Sequence, residues 1–311
     1  MPISIVVHGG AGGISPDRHA SASQGCQEAA LIGWHVLQNG GSALDAVEAA
    51  VRALEDNPAF NAGTGACLTA EGNIELDAGI MDGRTFDVGA VAGIERIKNP
   101  ITLARQVLVS PHVLLVGRGA EQFAGEQGIV RCAFEDLLTE RQYQLWRQYL
   151  TDHSLAPDSE PNLIRREIAS LAARDEPKHG TVGAVAVDSS GALAAATSTG
   201  GLHNKYPGRV GDSPLVGGGF YADELAAISC TGDGEDFARL LIAKRAADFV
   251  SQGRSAQEAA GAAIAFLGAK ARGTGGLILV DQSGGVGYAW NSQNLARAYM
   301  SEGLSEPVTG V

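Results

Sequence analysis

The stretch His179–Asp188, HGTVGAVAVD, most tightly limits how this chain folds. It opens a run of alternating small and β-branched residues directly after a polar, Pro-containing segment, which is how a buried strand begins after a flexible connection. Gly180 precedes Thr181, and a residue without a Cβ lets the backbone take conformations that others resist. A cut at the Gly180–Thr181 bond would make Thr181 a new N-terminus at the head of a core strand. A threonine hydroxyl beside its own free amine holds a nucleophile and its base in one residue. In an intact chain nothing at Thr181 itself takes the proton, so chemistry and cut stand or fall together.

At 311 residues the chain can bury a large core, and length alone allows one large domain or two ordinary ones. A net charge of -12 argues against a nucleic-acid surface and leaves the substrate open. The cysteines, Cys26, Cys67, Cys132 and Cys230, are scattered, with no C-x-x-C pair and no nearby histidine cluster. This disfavours a zinc site or a disulfide framework and predicts buried free thiols. The opening MPISIVVHGG lacks a basic segment followed by a long apolar run, and no apolar stretch approaches a membrane span. A soluble cytoplasmic protein is the expectation.

Ile3–Val7 reads as a strand ending in a glycine-rich turn, His8–Gly13. Gly10 and Gly12 supply two glycines of G-x-G-x-x-G, but Ser15 stands at the third position and no acidic partner follows at the usual distance. A turn that brings backbone close to something else fits better than a phosphate cradle. Amphipathic helices are predicted over Ser23–Gln38 and Ala43–Asp56, the second capped by Ser42 and burying Leu44, Val47, Val51 and Leu54. Strand-like segments follow at Ala66–Thr69, Ile74–Ile80 and Phe86–Ile94, with a tight turn at Met81–Gly83. Then come a helix over Ile101–Val109, a strand over Val113–Val116, helix from Glu121, and one long helix over Phe134–Leu150. Thr151–Lys178 reads as a linker with one helical piece, Leu163–Ala173. Strands at Val182–Val187 and Ala192–Thr197 follow it, joined by an Asp188–Gly191 hairpin turn. A polar loop, Gly200–Ser213, precedes a strand at Ala226–Cys230 and a helix from Glu235. A helix over Ser255–Leu267 and strands at Gly275–Val280 and Val286–Trp290 close the chain. The pattern is α+β, with two antiparallel sheets and helices outside them, one domain across the proposed cut.

HGGAGG, NPAFNAGTG, HGTVGAVAVD, ATSTGG, NKYPGRVGDSPLVG and SCTGDGE together resemble the plant-type L-asparaginase and isoaspartyl peptidase family of N-terminal nucleophile hydrolases. They span the chain except the linker and the last few residues. The resemblance implies a four-layer αββα sandwich and self-cleavage into an α piece, residues 1–180, and a β piece, residues 181–311. It implies Thr181 as nucleophile, with its freed amine, ordinarily near pKa ~8, as general base. Thr199 matches the threonine beside the nucleophile, and Thr231 and Gly232 match an oxyanion hole, where a strand ends and a helix begins. Asn61 matches an asparagine that assists cleavage geometry or the oxyanion site.

By themselves, Arg209 and Asp212 are a surface ion pair or solvated loop charges. Matched to the family, Arg209 holds the substrate α-carboxylate and Asp212 its α-ammonium, aided by the carbonyls of Gly232 and Gly234. L-asparagine and β-aspartyl dipeptides share that head group and differ only in what leaves, so one pocket serves both. The resemblance requires no cofactor for catalysis. It implies a structural sodium ion on the backbone carbonyls of Leu54, Glu55, Asn57, Phe60, Ala62 and Thr64, and a dimer of cleaved protomers. His203 stands where the family more often has a small residue, and a solvent-facing histidine is expected. Rival readings are a glycosylasparaginase-like enzyme, a threonine endopeptidase and, from another class, a nucleotide-binding protein built on HGGAGG. A further rival, a module that has lost processing, is disfavoured by the presence of Thr181, Thr199, Arg209, Asp212 and Thr231.

Overall fold

A computed structural model describes residues 1–152 and 180–311. The predicted helical piece Leu163–Ala173, and the linker beyond Asp152, lie outside them. Two sheets face each other. The larger has eight strands in the order β12-β11-β1-β5-β6-β2-β3-β4 and the smaller four, β10-β9-β8-β7. The strands at the centre are β1 (Ser4–Gly12), β5 (Val182–Val187), β6 (Leu193–Thr199) and β2 (Leu76–Asp82). They are flanked by β3 (Val88–Ile94), β4 (Leu114–Val116), β11 (Asn294–Ser301) and β12 (Val308–Gly310). The smaller sheet comprises β7 (Phe220–Ala222), β8 (Ala226–Gly232), β9 (Gly275–Asp281) and β10 (Val286–Trp290). Every pairing is antiparallel except β3 with β4.

Strand alternation builds the layers. Val182, Ala184 and Ala186 of β5 pack under α2 (Ala43–Asp56), while α1 (His19–Gln38) covers β1 and β11 and α3 (Pro100–Leu108) covers β2 and β3 on the same face. Val185 and Val187 point the other way, onto Phe220, Ile278 and Val280 of the smaller sheet. The far face of that sheet, with Ile228, Leu277 and Leu279, is covered by α7 (Ile242–Ser251) and α8 (Ala256–Lys270). The result is the expected four-layer αββα sandwich. Helices α4 (Gly117–Glu126), α5 (Glu140–Asp152) and α6 (Gly234–Leu240) complete the chain. Ser42 caps α2 as predicted, accepting from the Asp45 N–H at 3.1 Å. Among the described residues no helix is long and apolar enough to cross a membrane.

Several expectations need correction. His8–Gly13 is no turn: β1 runs to Gly12, and a bulge between His8 and Ala11 absorbs the glycines. Gly9, Gly10 and Gly12 therefore lie within the strand and not in the loop that precedes the helix, where a phosphate cradle would need them. Ala66–Thr69 is irregular loop, not strand. The long helix over Phe134–Leu150 is a single 3-10 turn, Phe134–Asp136, followed by α5. The restart is set by Thr139, whose hydroxyl accepts from the Gln142 N–H at 3.3 Å. α5 continues through Asp152, two residues into the expected linker. The helix from Glu235 breaks at Leu241, which adopts a left-handed conformation with φ 51° and starts α7. β10 does not close the chain, because β11 returns to pair with β1 along its whole length and β12 pairs with β11.

Candidate active site

Thr181 stands at the head of β5, where the β1–β5 register ends at His8 opposite Gly183. Past that point the bulge carries β1 away, so the strand head is not covered by a ladder. Thr181 is nonetheless only 8% exposed. Its hydroxyl donates to Thr199 Oγ1 at 3.1 Å, and the same oxygen accepts the Gly201 N–H at 3.0 Å. The geometry places a hydroxyl acceptor against the Thr181 proton and fixes that acceptor from its other side.

On the other side of the Gly180–Thr181 bond, the Gly180 carbonyl accepts the Asn61 backbone N–H at 3.3 Å. The Asn61 side chain is spent on structure: Nδ2 donates to the Gly201 carbonyl at 2.7 Å and Oδ1 accepts the Cys67 N–H at 2.8 Å. Thus Asn61 reaches the junction through its main chain, not its amide. Gly180 has to be glycine here, since a Cβ would stand 2.5 Å from Asn61 Cβ.

Thr231 and Gly232 end β8, across from Gly276 and Gly275 of β9. Thr231 Oγ1 accepts the Ala11 N–H at 3.2 Å, which leaves its own proton to donate elsewhere. The glycine segment of β1 therefore braces this threonine. Deeper between the sheets, the His8 ring meets Ser229 Oγ at 2.9 Å, and Ser229 meets Thr197 Oγ1 at 2.8 Å. Burial lowers the His8 pKa to about 3, so the ring is neutral.

Arg209 and Asp212 do not form the surface ion pair that their spacing suggests. Arg209 is bidentate to Glu235, Nε to Oε1 at 2.8 Å and Nη2 to Oε2 at 2.6 Å. Burial works against the Arg209 charge, but the Glu235 hydrogen bond together with the charges of Glu235, Asp212 and Asp77 outweighs it and raises the pKa, so the guanidinium stays charged. Asp212 is 3% exposed, and its Oδ2 has no partner among the described residues. Burial pushes its pKa up to about 7, against the pull of Arg209. The two side chains converge at Gly234, where a Cβ would stand 2.9 Å from both Arg209 Nη2 and Asp212 Oδ1. A buried carboxylate with one free oxygen beside a guanidinium suits a ligand carrying an ammonium next to a carboxylate.

Set beside known sequences, the profile of the family described as asparaginase matches residues 1–309. The chain belongs to the asparaginase family. It is 47% identical to a plant-type L-asparaginase of Thermococcus kodakarensis over 99% of each chain. It is 43% identical to an isoaspartyl peptidase/L-asparaginase of Bos taurus and 42% identical to one of Homo sapiens, over 97% of this chain and 94% of each of theirs.

Within this asparaginase-family chain, three charged residues escape sequence reasoning. Lys205, 4% exposed, donates to the Arg209 carbonyl at 2.9 Å and pairs with Glu75 at 3.1 Å, which anchors the Arg209 loop from beneath. Asp77 lies opposite Thr199 in the β2–β6 register, fully buried, with Oδ1 accepting the Gly93 N–H at 2.7 Å. Burial raises the Asp77 pKa, with Lys205 pulling against it. Glu235 and Lys205 carried a signal in their places within SCTGDGE and NKYPGRVGDSPLVG, whereas Asp77 carried none. His203 does not face solvent: it is half-buried, and Nε2 meets Gln142 Oε1 at 2.8 Å.

The predicted carbonyl set lies at the end of α2 and in the loop after it. The carbonyls of Leu54, Glu55 and Asn57 each accept one loop N–H, at 3.3, 2.8 and 3.2 Å, which leaves each a second lone pair. Those of Phe60, Ala62 and Thr64 accept no loop backbone N–H among the described residues. Uncommitted carbonyl oxygens fit a hard monovalent cation. The Glu55 side chain is committed elsewhere, with Oε1 accepting Ser198 Oγ at 2.6 Å and the Ile101 N–H at 2.9 Å.

Proposed function

We propose that this protein is an isoaspartyl dipeptidase with L-asparaginase activity, made active by cleavage at Gly180–Thr181. One observation carries the reading: the Thr181 hydroxyl is aimed by Thr199 while the Gly180 carbonyl rests on the Asn61 N–H, so nucleophile and electrophile are both held. The names of the relatives, L-asparaginase and isoaspartyl peptidase, agree with it.

Maturation begins with Thr181 Oγ attacking the Gly180 carbonyl carbon, its proton passing toward Thr199 and the negative oxygen facing the Asn61 N–H. The C–N bond breaks, the Thr181 nitrogen takes up a proton, and water hydrolyses the resulting ester to a Gly180 carboxylate. Thr181 then carries a free amine. In turnover this amine accepts the hydroxyl proton as Oγ attacks the substrate side-chain carbonyl, and returns it to the leaving amine or ammonia. The Thr231 hydroxyl and the Gly232 N–H stabilise the oxyanion. Water releases aspartate from the aspartyl-threonine ester. Arg209 receives the α-carboxylate on the face Glu235 leaves open, and Asp212, with the Gly232 and Gly234 carbonyls, receives the α-ammonium.

No catalytic cofactor enters this scheme. Sodium bound to the Leu54–Thr64 carbonyls would supply charge that draws their dipoles together, and those carbonyls hold the loop that presents Asn61. Two cleaved protomers associate. Intact mass of the purified protein and of Thr181→Ala tests the reading: two pieces, 1–180 and 181–311, are expected for the first and one inactive chain for the second. An uncut wild type that releases aspartate at full rate would overturn it.

A further inference from the structure

Beside the scissile junction lies a cavity lined by Gly180, Asn61, Gln142, His203, Arg18 and Arg141. With the chain intact it holds about 50 Å³, too little for an amino acid. Gly180 is one of its walls, so cleavage frees that wall.

Chemistry fixes what belongs on this side of Thr181. The leaving amine takes its proton from the Thr181 amine, and that nitrogen is the atom once bonded to Gly180. The leaving group therefore departs on the Gly180 side, opposite the head group held by Arg209 and Asp212. When the substrate is a β-aspartyl dipeptide, the leaving residue carries its own α-carboxylate two covalent bonds from that amine. The cavity supplies two guanidiniums. Arg18 is half-buried and fixed by donating from Nη2 to the Ala59 carbonyl at 2.6 Å. Arg141 stands at the mouth, open to solvent, with no hydrogen bond or ion pair to a described residue. The acid that acts on both, Asp17, is itself fully exposed and hydrogen-bonded to Ser15. Gln142 donates to the Gly65 carbonyl at 2.7 Å and accepts from the His203 ring, so these two shape the wall.

We propose that Arg18 and Arg141 receive the free α-carboxylate of the residue released from a β-aspartyl dipeptide. The site rests on the isoaspartyl dipeptidase reading above and deepens it: it selects dipeptides with a free end over longer or amidated β-aspartyl peptides. L-asparagine, whose leaving group is ammonia, does not use it.

The test compares cleaved wild type, Arg141→Gln and Arg141→Lys on β-aspartyl-leucine, its C-terminal amide and L-asparagine. Arg141 is chosen because Arg18 also braces the Ala59 loop. Wild type is expected to show a KM about fivefold lower for the free dipeptide than for the amide, the scale an exposed charge pair contributes. Arg141→Gln erases that difference, Arg141→Lys keeps part of it, and neither alters kcat or KM for L-asparagine. Equal KM for acid and amide in wild type, an unchanged preference in Arg141→Gln, or an equal loss on all three substrates each overturns the subsite. Wild type that hydrolyses both substrates and fails only the acid–amide comparison overturns the subsite alone, whereas wild type inert on the dipeptide overturns the dipeptidase reading beneath it, and wild type inert on both overturns that reading whole.

Discussion

The Asn61 backbone N–H donates to the Gly180 carbonyl at 3.3 Å, and the Asn61 Cβ fills the space where a side chain on Gly180 would go. One residue thus contacts the carbonyl of the bond proposed to be cut and requires glycine before it. Gly180→Ala must push the carbonyl off that donor. Loss of one such donor costs on the order of 10²-fold or more in other acyl transfers. Freshly made Gly180→Ala should therefore remain mostly uncut when wild type is fully processed, with an unchanged circular dichroism spectrum. Gel densitometry over time measures it, and wild-type processing in the variant would remove Asn61 from the cleavage step.

Thr199 is tested by a change of nearly equal volume. Thr199→Val keeps the packing of β6 and removes the oxygen that Thr181 donates to at 3.1 Å. A positioned proton acceptor contributes about 10²-fold or more. Self-cleavage should slow by at least about that factor, and Thr199→Ser should stay within severalfold of wild type. Both rates come from the same gel assay. Equal processing in the valine and serine variants would assign the Thr181 proton to another acceptor.

Much of this arrangement is legible in the sequence because its parts are local. The alternation of Val182–Val187 announces a core strand, and the dense motif around Arg209 and Asp212, through its resemblance to the family, singles out the residues proposed here for the substrate head group. What the sequence hides is long-range or conformational. Lys205 reads as one more loop charge, since its partner Glu75 lies on a different segment. The bulge in β1 follows from pairing with β11, a strand the sequence reading misses because the core positions it buries, Ala296, Ala298 and Met300, are mostly small and its partner lies at the far end of the chain. The break at Leu241 lacks the glycine that usually marks a left-handed residue. Asn61 was found as a residue, yet sequence cannot tell a backbone donor from a side-chain one.

Glu55 links helix to sheet through Ser198 and Ile101, and burial raises its pKa from 4.5 to about 8. Below pH 4.5 the folded and unfolded chains both hold the proton. From there to about pH 8 the unfolded chain releases it and the folded chain keeps it, so stability falls as pH rises. Glu55→Gln has no such titration. Its Tm relative to wild type should climb steadily between pH 5 and pH 8. Glu55→Ala strands both donors and should be less stable at every pH, by about 1–3 kcal/mol. A Tm difference between the glutamine variant and wild type that stays flat with pH would mean Glu55 is ionised in the fold.

Asp212 makes the catalytic acid limb distinctive. In the proposed mechanism turnover needs the Thr181 amine unprotonated, with an ordinary pKa near ~8. It also needs Asp212 ionised to meet the substrate ammonium, and burial holds that carboxyl at about 7 despite Arg209. As pH falls, log kcat/KM for L-asparagine should decline with unit slope below ~8, then approach a slope of two below about 7, because two independent groups are then protonated. Asp212→Asn removes the lower break. It should keep the unit slope alone and lose about tenfold to a hundredfold in kcat/KM at pH 8, the scale of a hydrogen bond to a charged group. A wild-type profile that holds unit slope down to pH 6 would show that Asp212 stays ionised there and that the amine alone sets the acid limb.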